Sequence, residues 1–192
     1  MEYECLSAEE RAVLLKLARQ SIEYAASGRV MPPVDLETLP PRLREEGVCL
    51  VTLTENDGQL RGCIGGLEAR LPLALDVCEH AAAAATEDFR FSPVRPAEVP
   101  RLHIEISRLT PPQPREYETP VDLLAMLQRG VDGVVLHDGY HRATFLPQVW
   151  EKLPDPSRFL SQLCEKMGAP ADLWRRKKLQ VETYQVEEFH EL

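Results

Sequence analysis

The feature that most constrains the fold is a β-hairpin pattern at residues 48–66, VCLVTLTENDGQLRGCIGG. The run VCLVTLT at 48–54 has strong β propensity, and Asn56-Asp57-Gly58 is a strong turn signal. LRGCIG at 60–65 then returns as the partner strand. Two glycines within this returning strand and a third directly after it surround one thiol. Glycine weakens a strand interior, so its use here indicates a bend or the close approach of another group.

The other segments predict an α+β fold with mixed or antiparallel sheets, an N-terminal helix and a C-terminal strand, rather than a regular β-α-β alternation. Ser7 and Glu10 form a capping-box pattern, and apolar residues then recur at helical spacing as far as Gly28. Helices are predicted at 8–27, 71–88, 119–130, 156–168 and about 171–178. Strands are predicted at 102–110 and 179–189, a second hairpin at 131–146, and a stiff connector at 111–118.

Composition sets the expected class of protein. The 192-residue chain has a net charge of −9, so we expect no nucleic-acid partner. It contains no apolar run of 18 residues, and its first ten residues are acidic and polar, so we expect no membrane span and no signal peptide. Five scattered cysteines without a CxxC pair predict a cytoplasmic protein without a disulfide framework or zinc ribbon.

The main candidate site lies in the LRGCIG segment. Gly62 allows a ligand or another backbone to come close to Cys63, and Gly65 can bend the strand so that free N–H groups form an anion-binding nest. Alternation places Arg61 on the face of Cys63, where its guanidinium would bind a carboxylate or phosphate. Cys63 would then be a thiolate nucleophile. The alternative is that Cys63 is a small buried hydrophobic residue.

Two other segments contribute candidates. His103 and Glu105 share one face of a predicted strand and would handle protons if they lay near the thiol, although such residues are also routine on a solvated face. Asp88 and Arg90, in EDFRFSPVR, would present charge to an anionic substrate. The alternative there is that the arginines pair with carboxylates of this acidic chain.

No metal or cofactor is predicted. His137 and His141 flank the Asp138-Gly139 turn at a spacing that resembles a metal pair, but no third ligand follows, so we expect solvated histidines. The basic run at 175–178 is interpreted as a solvated face. The chain has no GxxxxGK[ST], GxGxxG, HExxH or GxSxG motif, so nucleotide-dependent and familiar hydrolytic chemistry has no support.

Several segments resemble, in the expected order, the AMME chromosomal region (AMMECR) family, whose bacterial and archaeal members are called AmmeMemoRadiSam system protein A. These segments are VTLTENDGQLRGCIG, EDFRFSPVRPAEVPRLHIEISRLTPP, GVDGVVL, ATFLPQVWEKLPDP and FLSQLCEKMGAPADLW. The resemblance implies one domain over 1–192 with two intimately packed sub-lobes built from related β-α-β-β units. It also implies a cleft lined by LRGCIG and an association with Memo-like and radical SAM proteins, but no established reaction.

Two functional hypotheses follow. In the first, the protein is an enzyme or an enzyme-accessory subunit in which Cys63 reacts, Arg61 holds an anionic group, and His103 with Glu105 transfers protons. In the second, it is a non-catalytic module whose glycine-rich cleft binds a small anion or a peptide end.

Overall fold

The structure, a computed structural model, describes residues 5–191 and has the predicted α+β composition, with an N-terminal helix, a C-terminal strand and antiparallel strand pairs. The helices are α1 Ala8–Ala26, α2 Pro41–Arg44, α3 Leu73–Thr86, α4 Pro120–Met126, α5 Val149–Lys152, α6 Pro156–Lys166 and α7 Leu173–Arg176. The strands are β1 Glu46–Thr54, β2 Leu60–Gly65, β3 Leu71–Pro72, β4 His103–Leu109, β5 Gln113–Arg115, β6 Gly133–Asp138, β7 His141–Phe145, β8 Gln180–Tyr184 and β9 Val186–His190.

The chain divides into two compact units. Unit 1 contains the residues up to Thr110 together with those from Glu187 onward, and unit 2 is Pro111–Val186. Unit 1 has a sheet in the order β2-β1-β4-β9, with β3 paired to one end of β1. Unit 2 has a sheet in the order β5-β8-β6-β7.

In unit 1, helices α1 and α3 pack on one face of the sheet. Strand alternation sends Leu53 and Ile104 to this face, where both are fully buried in the hydrophobic core. Residues one position along each strand project from the opposite face. Thr52 lies between Cys63 on β2 and Glu105 on β4 in a single cross-strand row on that opposite face.

Unit 2 has its own hydrophobic core. Trp150 and Phe159 stack with their ring centroids 3.7 Å apart, and the Trp150 indole N–H donates to the carbonyl of Asp132 at 2.7 Å. The neighbouring glycine, Gly133, is required because a Cβ there would lie 2.3 Å from the ring of Tyr184.

The predicted final strand at 179–189 is wrong in one respect. It is two strands, interrupted at Gln185: β8 pairs with β5 and β6, whereas β9 joins the sheet of unit 1 beside β4. The predicted connector at 111–118 contains the short strand β5. The helix predicted from residue 71 begins at Leu73, because the two preceding residues pair with β1.

Candidate functional site

The candidate site is built on β2, which is an edge strand, and Cys63 lies in the middle of it. The thiol is half-buried, and the Thr52 hydroxyl donates a hydrogen bond to the Cys63 Sγ over 3.3 Å. This contact exists because β1 and β2 pair in a register that places the two residues directly opposite each other.

Residues after α3 hold the outer edge of β2. One Asp88 carboxylate oxygen accepts the Cys63 backbone N–H at 2.8 Å, and the Arg90 guanidinium donates to the Cys63 carbonyl at 3.3 Å. Arg90 also donates to both oxygens of Asp88, at 2.6 and 2.9 Å. Asp88 is buried, and the Arg90 guanidinium holds the pKa of its carboxyl well below the usual range. The loop therefore substitutes for a missing neighbouring strand at Cys63.

Arg61 departs from simple alternation because β2 has a bulge there. Thr54 pairs with Leu60 and Leu53 pairs with Gly62, so Arg61 is the extra residue. Its guanidinium is buried and donates to Glu98 at 3.2 Å. Glu98 also accepts from the backbone and side chain of Arg95, and with these donors its pKa falls to about 2.

The predicted substrate-binding arginines therefore already have carboxylate partners. Arg61 pairs with Glu98, and Arg90 pairs with Asp88. This arrangement is the alternative that the acidic composition suggested. Binding of an anion by these guanidinium groups stays a prediction, and Arg90, whose side chain is 44% exposed, is the better placed of the two.

The glycines of LRGCIG are explained by contacts within the protein. A Cβ on Gly62 would lie 2.1 Å from the carbonyl oxygen of Ala84, so this glycine lets β2 approach the backbone of α3. A Cβ on Gly65 would lie 2.5 Å from both the Cys49 carbonyl oxygen and the Leu50 Cα. Close packing accounts for both positions, and a role of Gly62 and Gly65 in substrate binding stays a prediction.

The predicted proton-transfer pair is only partly brought to the thiol. Glu105 shares the row of Cys63, with Thr52 between them, and His103 is exposed and pairs with Thr54. Burial raises the pKa of Glu105, and the nearby Glu188 carboxylate acts in the same direction. Glu105 is thus suited to proton transfer at a pH closer to neutral than an ordinary glutamate.

A second cluster, which the sequence reasoning missed, lies where β1 meets α3. The Asp76 carboxylate accepts the Cys49 backbone N–H at 2.9 Å and lies 3.1 Å from the His80 Nδ1. The Cys49 Sγ lies 4.0 Å from the same nitrogen. The hydrogen bond with Asp76 raises the pKa of His80, and burial raises the pKa of the Cys49 thiol. The helical i, i+4 spacing of Asp76 and His80 was the only signal in the sequence.

The hairpin of unit 2 corrects one expectation. His137 is not a freely solvated histidine, because its Nε2 lies 2.9 Å from a Glu182 carboxylate oxygen and its side chain is only 24% exposed. His141 is exposed, as predicted.

Every helix among residues 5–191 is too short or too polar to span a membrane.

Comparison with known proteins identifies the family of this chain. The AMMECR1 family model matches residues 15–189, which include Cys63, Asp88 and Arg90. The chain belongs to the AMMECR1 family. This confirms the resemblance drawn from LRGCIG and the segments that surround it.

AMMECR1 relatives in archaea match along nearly the whole chain. A protein of Methanothermobacter thermautotrophicus is 40% identical over 194 residues, covering 100% of this chain and 99% of the relative. A protein of Thermofilum pendens is 41% identical over 202 residues, covering 97% and 92%. The crystal structure of uncharacterized protein PH0010 from Pyrococcus horikoshii is similar, with a TM-score of 0.81, 33% identity, and coverage of 97% of this chain and 93% of that chain. The AMMECR1 fold therefore extends through both units.

Proposed function

We propose that this AMMECR1 protein is an enzyme, or an accessory subunit of one, in which the Cys63 thiolate is the reactive group. The observation that carries the proposal is the Thr52 hydroxyl, which donates to the Cys63 sulfur at 3.3 Å. A donor directed at the sulfur suits an atom that carries negative charge during a reaction. The backbone on both sides of the thiol is held by Asp88 and Arg90, so the sulfur has a defined position.

Two neighbouring groups complete the proposed chemistry. The half-buried Glu105 carboxyl lies in the same cross-strand row, on the far side of Thr52 from the thiol, and exchanges a proton with Cys63 through the Thr52 hydroxyl or a bridging water, assisted by His103. The partly exposed Arg90 guanidinium binds an anionic group of the substrate. Memo-like and radical SAM proteins are the proposed partners, on the basis of the family resemblance alone.

The test is a comparison of thiol alkylation rates. With iodoacetamide near neutral pH and mass spectrometry of the peptides, we expect Cys63 to label faster than Cys5, although Cys5 is exposed and Cys63 is only half-buried. Replacing Thr52 by Val removes the donor and keeps the side-chain shape. It should slow Cys63 labelling by roughly 3–10-fold, the effect of about one hydrogen bond, and leave Cys5 unchanged. If Cys63 labels no faster than Cys5, the proposed thiolate chemistry is wrong.

A second candidate is a non-catalytic module that binds a small anion or a peptide end. The exposure of Arg90 favours this candidate. The glycines favour it less than the sequence suggested, because Gly62 and Gly65 pack against protein atoms and not against an open cleft. Gly62→Val cannot separate the two candidates, because it would also displace α3. Titration with inorganic phosphate, followed by NMR, can separate them. If binding is the function, the amide resonances of Cys63 and Arg90 shift saturably in the unmodified protein, and the Cys63→Ser variant shows an equivalent shift. Arg90→Gln should abolish the shift.

A further inference from the structure

We propose that Cys49, Asp76 and His80 form a three-ligand site for a divalent transition-metal ion of the zinc type. The donors are a thiol sulfur, a carboxylate oxygen and an imidazole nitrogen, and all three atoms lie within 4.8 Å of one another. Cys49 comes from β1, and the other two residues come from successive turns of α3. This site lies apart from the Cys63 site and does not depend on the proposed function.

The distances suit a shared ion. Zinc binds thiolate sulfur at about 2.3 Å and imidazole nitrogen at about 2.0–2.1 Å, so two such ligands of one ion lie no more than about 4.4 Å apart. The Cys49 Sγ and the His80 Nδ1 are 4.0 Å apart, and the Asp76 oxygen is 3.1 Å from that nitrogen. The ion would therefore replace the proton that now lies between His80 and Asp76.

The charges also balance. Cys49 and Asp76 are buried, and a buried charge needs a partner of opposite sign. A divalent cation with one thiolate and one carboxylate is electrically neutral, so the loaded cluster adds no net charge to this interior. Loading releases the proton of the Cys49 thiol to solvent, and the proton on the His80 Nδ1 leaves as well, to solvent from an imidazolium or to Nε2 from a neutral ring, so we expect affinity to rise with pH.

The local backbone leaves the ring of His80 partly open. The His80 side chain is 15% exposed, and Gly66, which has no side chain, lies beside the ring: a Cβ added there would lie 3.5 Å from the ring Cε1. Asp76 also accepts the Cys49 backbone N–H, which fixes the carboxylate beside the sulfur before any ion binds. Three protein ligands leave the fourth position for water or another small ligand, as in zinc sites that are not closed.

The test uses Co²⁺ as a spectroscopic probe and Zn²⁺ for stoichiometry, with the 192-residue chain first stripped of metal by a chelator. We expect about one ion per chain and, with Co²⁺, the near-ultraviolet charge-transfer band that reports a thiolate ligand. Cys49→Ala should abolish the band, and His80→Gln should weaken Zn²⁺ binding by more than about 100-fold. The matched controls Cys63→Ala and His103→Gln should bind as the unmodified protein does.

Two results would overturn the proposal. One is the absence of stoichiometric binding to the unmodified protein, which would leave the cluster as a hydrogen-bonded contact between β1 and α3. The other is a band that survives Cys49→Ala or disappears in Cys63→Ala, which would place the ion elsewhere. If Cys49→Ala does not fold, X-ray absorption of the zinc-loaded unmodified protein tests the site instead. We expect one sulfur among the zinc ligands, and either no sulfur ligand or two would contradict the site.

Discussion

At the scale of single residues, the Glu98 carboxylate accepts hydrogen bonds from two arginines near β2, Arg61 and Arg95. Its pKa of about 2 in the folded protein lies below the ordinary value of 4.5, so folding favours the ionised form. A depressed carboxyl pKa gives stability that is complete above the unfolded pKa and is lost as pH falls through the folded one. This stabilisation should therefore disappear between about pH 4.5 and pH 2.

We predict that Glu98→Gln lowers the free energy of unfolding by on the order of 1–3 kcal/mol at pH 7, because it also leaves the buried Arg61 without its charged partner. The difference between the two proteins should shrink as the pH is lowered from 5 toward 2. Urea unfolding at several pH values measures it, with the exposed Glu55→Gln as the control. A difference that does not vary with pH would contradict the role assigned to this ion pair.

The sequence offered Cys63, Asp88 and Arg90 as site candidates in separate segments, and it did not reveal that Asp88 and Arg90 bind the Cys63 backbone. The Thr52 contact depends on the register of β1 against β2, which local patterns do not specify. Cys49 is 27 positions from Asp76, so their contact follows only from the packing of α3 on β1. Residue types can suggest reactive groups, whereas their partners depend on long-range geometry.

Among the elements, those with local signals were predicted well. Ser7 and Glu10 form the predicted capping box of α1, and Gly28, with φ +65°, follows the end of the helix. One helix end was wrong, because the helix predicted to residue 130 ends at Met126. The other errors fell on β3, β5 and the division between β8 and β9, because those strands are two to five residues long and are defined by pairing with distant segments.

The approach of β2 to α3 gives a prediction at this scale. Gly62→Ala would place a methyl group 2.1 Å from the Ala84 carbonyl oxygen, a backbone atom that can move only with the helix. We expect the free energy of unfolding to fall by more than about 2 kcal/mol, despite the small gain from reduced freedom of the unfolded chain.

The matched control is Gly66→Ala in the same segment, where the added Cβ meets a side-chain methyl of Val48 at 3.2 Å, a contact that a shift of a few tenths of an ångström relieves. We expect a change within about 1 kcal/mol for this variant. Denaturant unfolding compares the two. Equal effects would show that the contact between β2 and α3 is not the reason for glycine at position 62.

At the scale of the whole molecule, the described chain begins and ends in the same unit. Glu187, on β9, accepts the Leu6 backbone N–H at 2.8 Å and the side-chain donors of Arg11 at 2.9 Å and Arg108 at 3.2 Å. The sequence predicted a C-terminal strand but gave no sign that it would return to the first sheet. Unit 2 is thus an insertion of Pro111–Val186 between two parts of unit 1.

This arrangement predicts unequal effects of one substitution on the two units. Glu187 is buried and accepts hydrogen bonds from three residues, so Glu187→Gln should destabilise unit 1 by on the order of 2–4 kcal/mol. Because each unit has its own hydrophobic core, hydrogen exchange followed by mass spectrometry should show faster exchange in α1 and β4 and unchanged exchange in β6 and α6. Glu182→Gln, which removes the negative charge beside His137 in unit 2, should leave exchange in α1 and β4 unchanged. Faster exchange in both units after Glu187→Gln would mean that the chain unfolds as one cooperative domain.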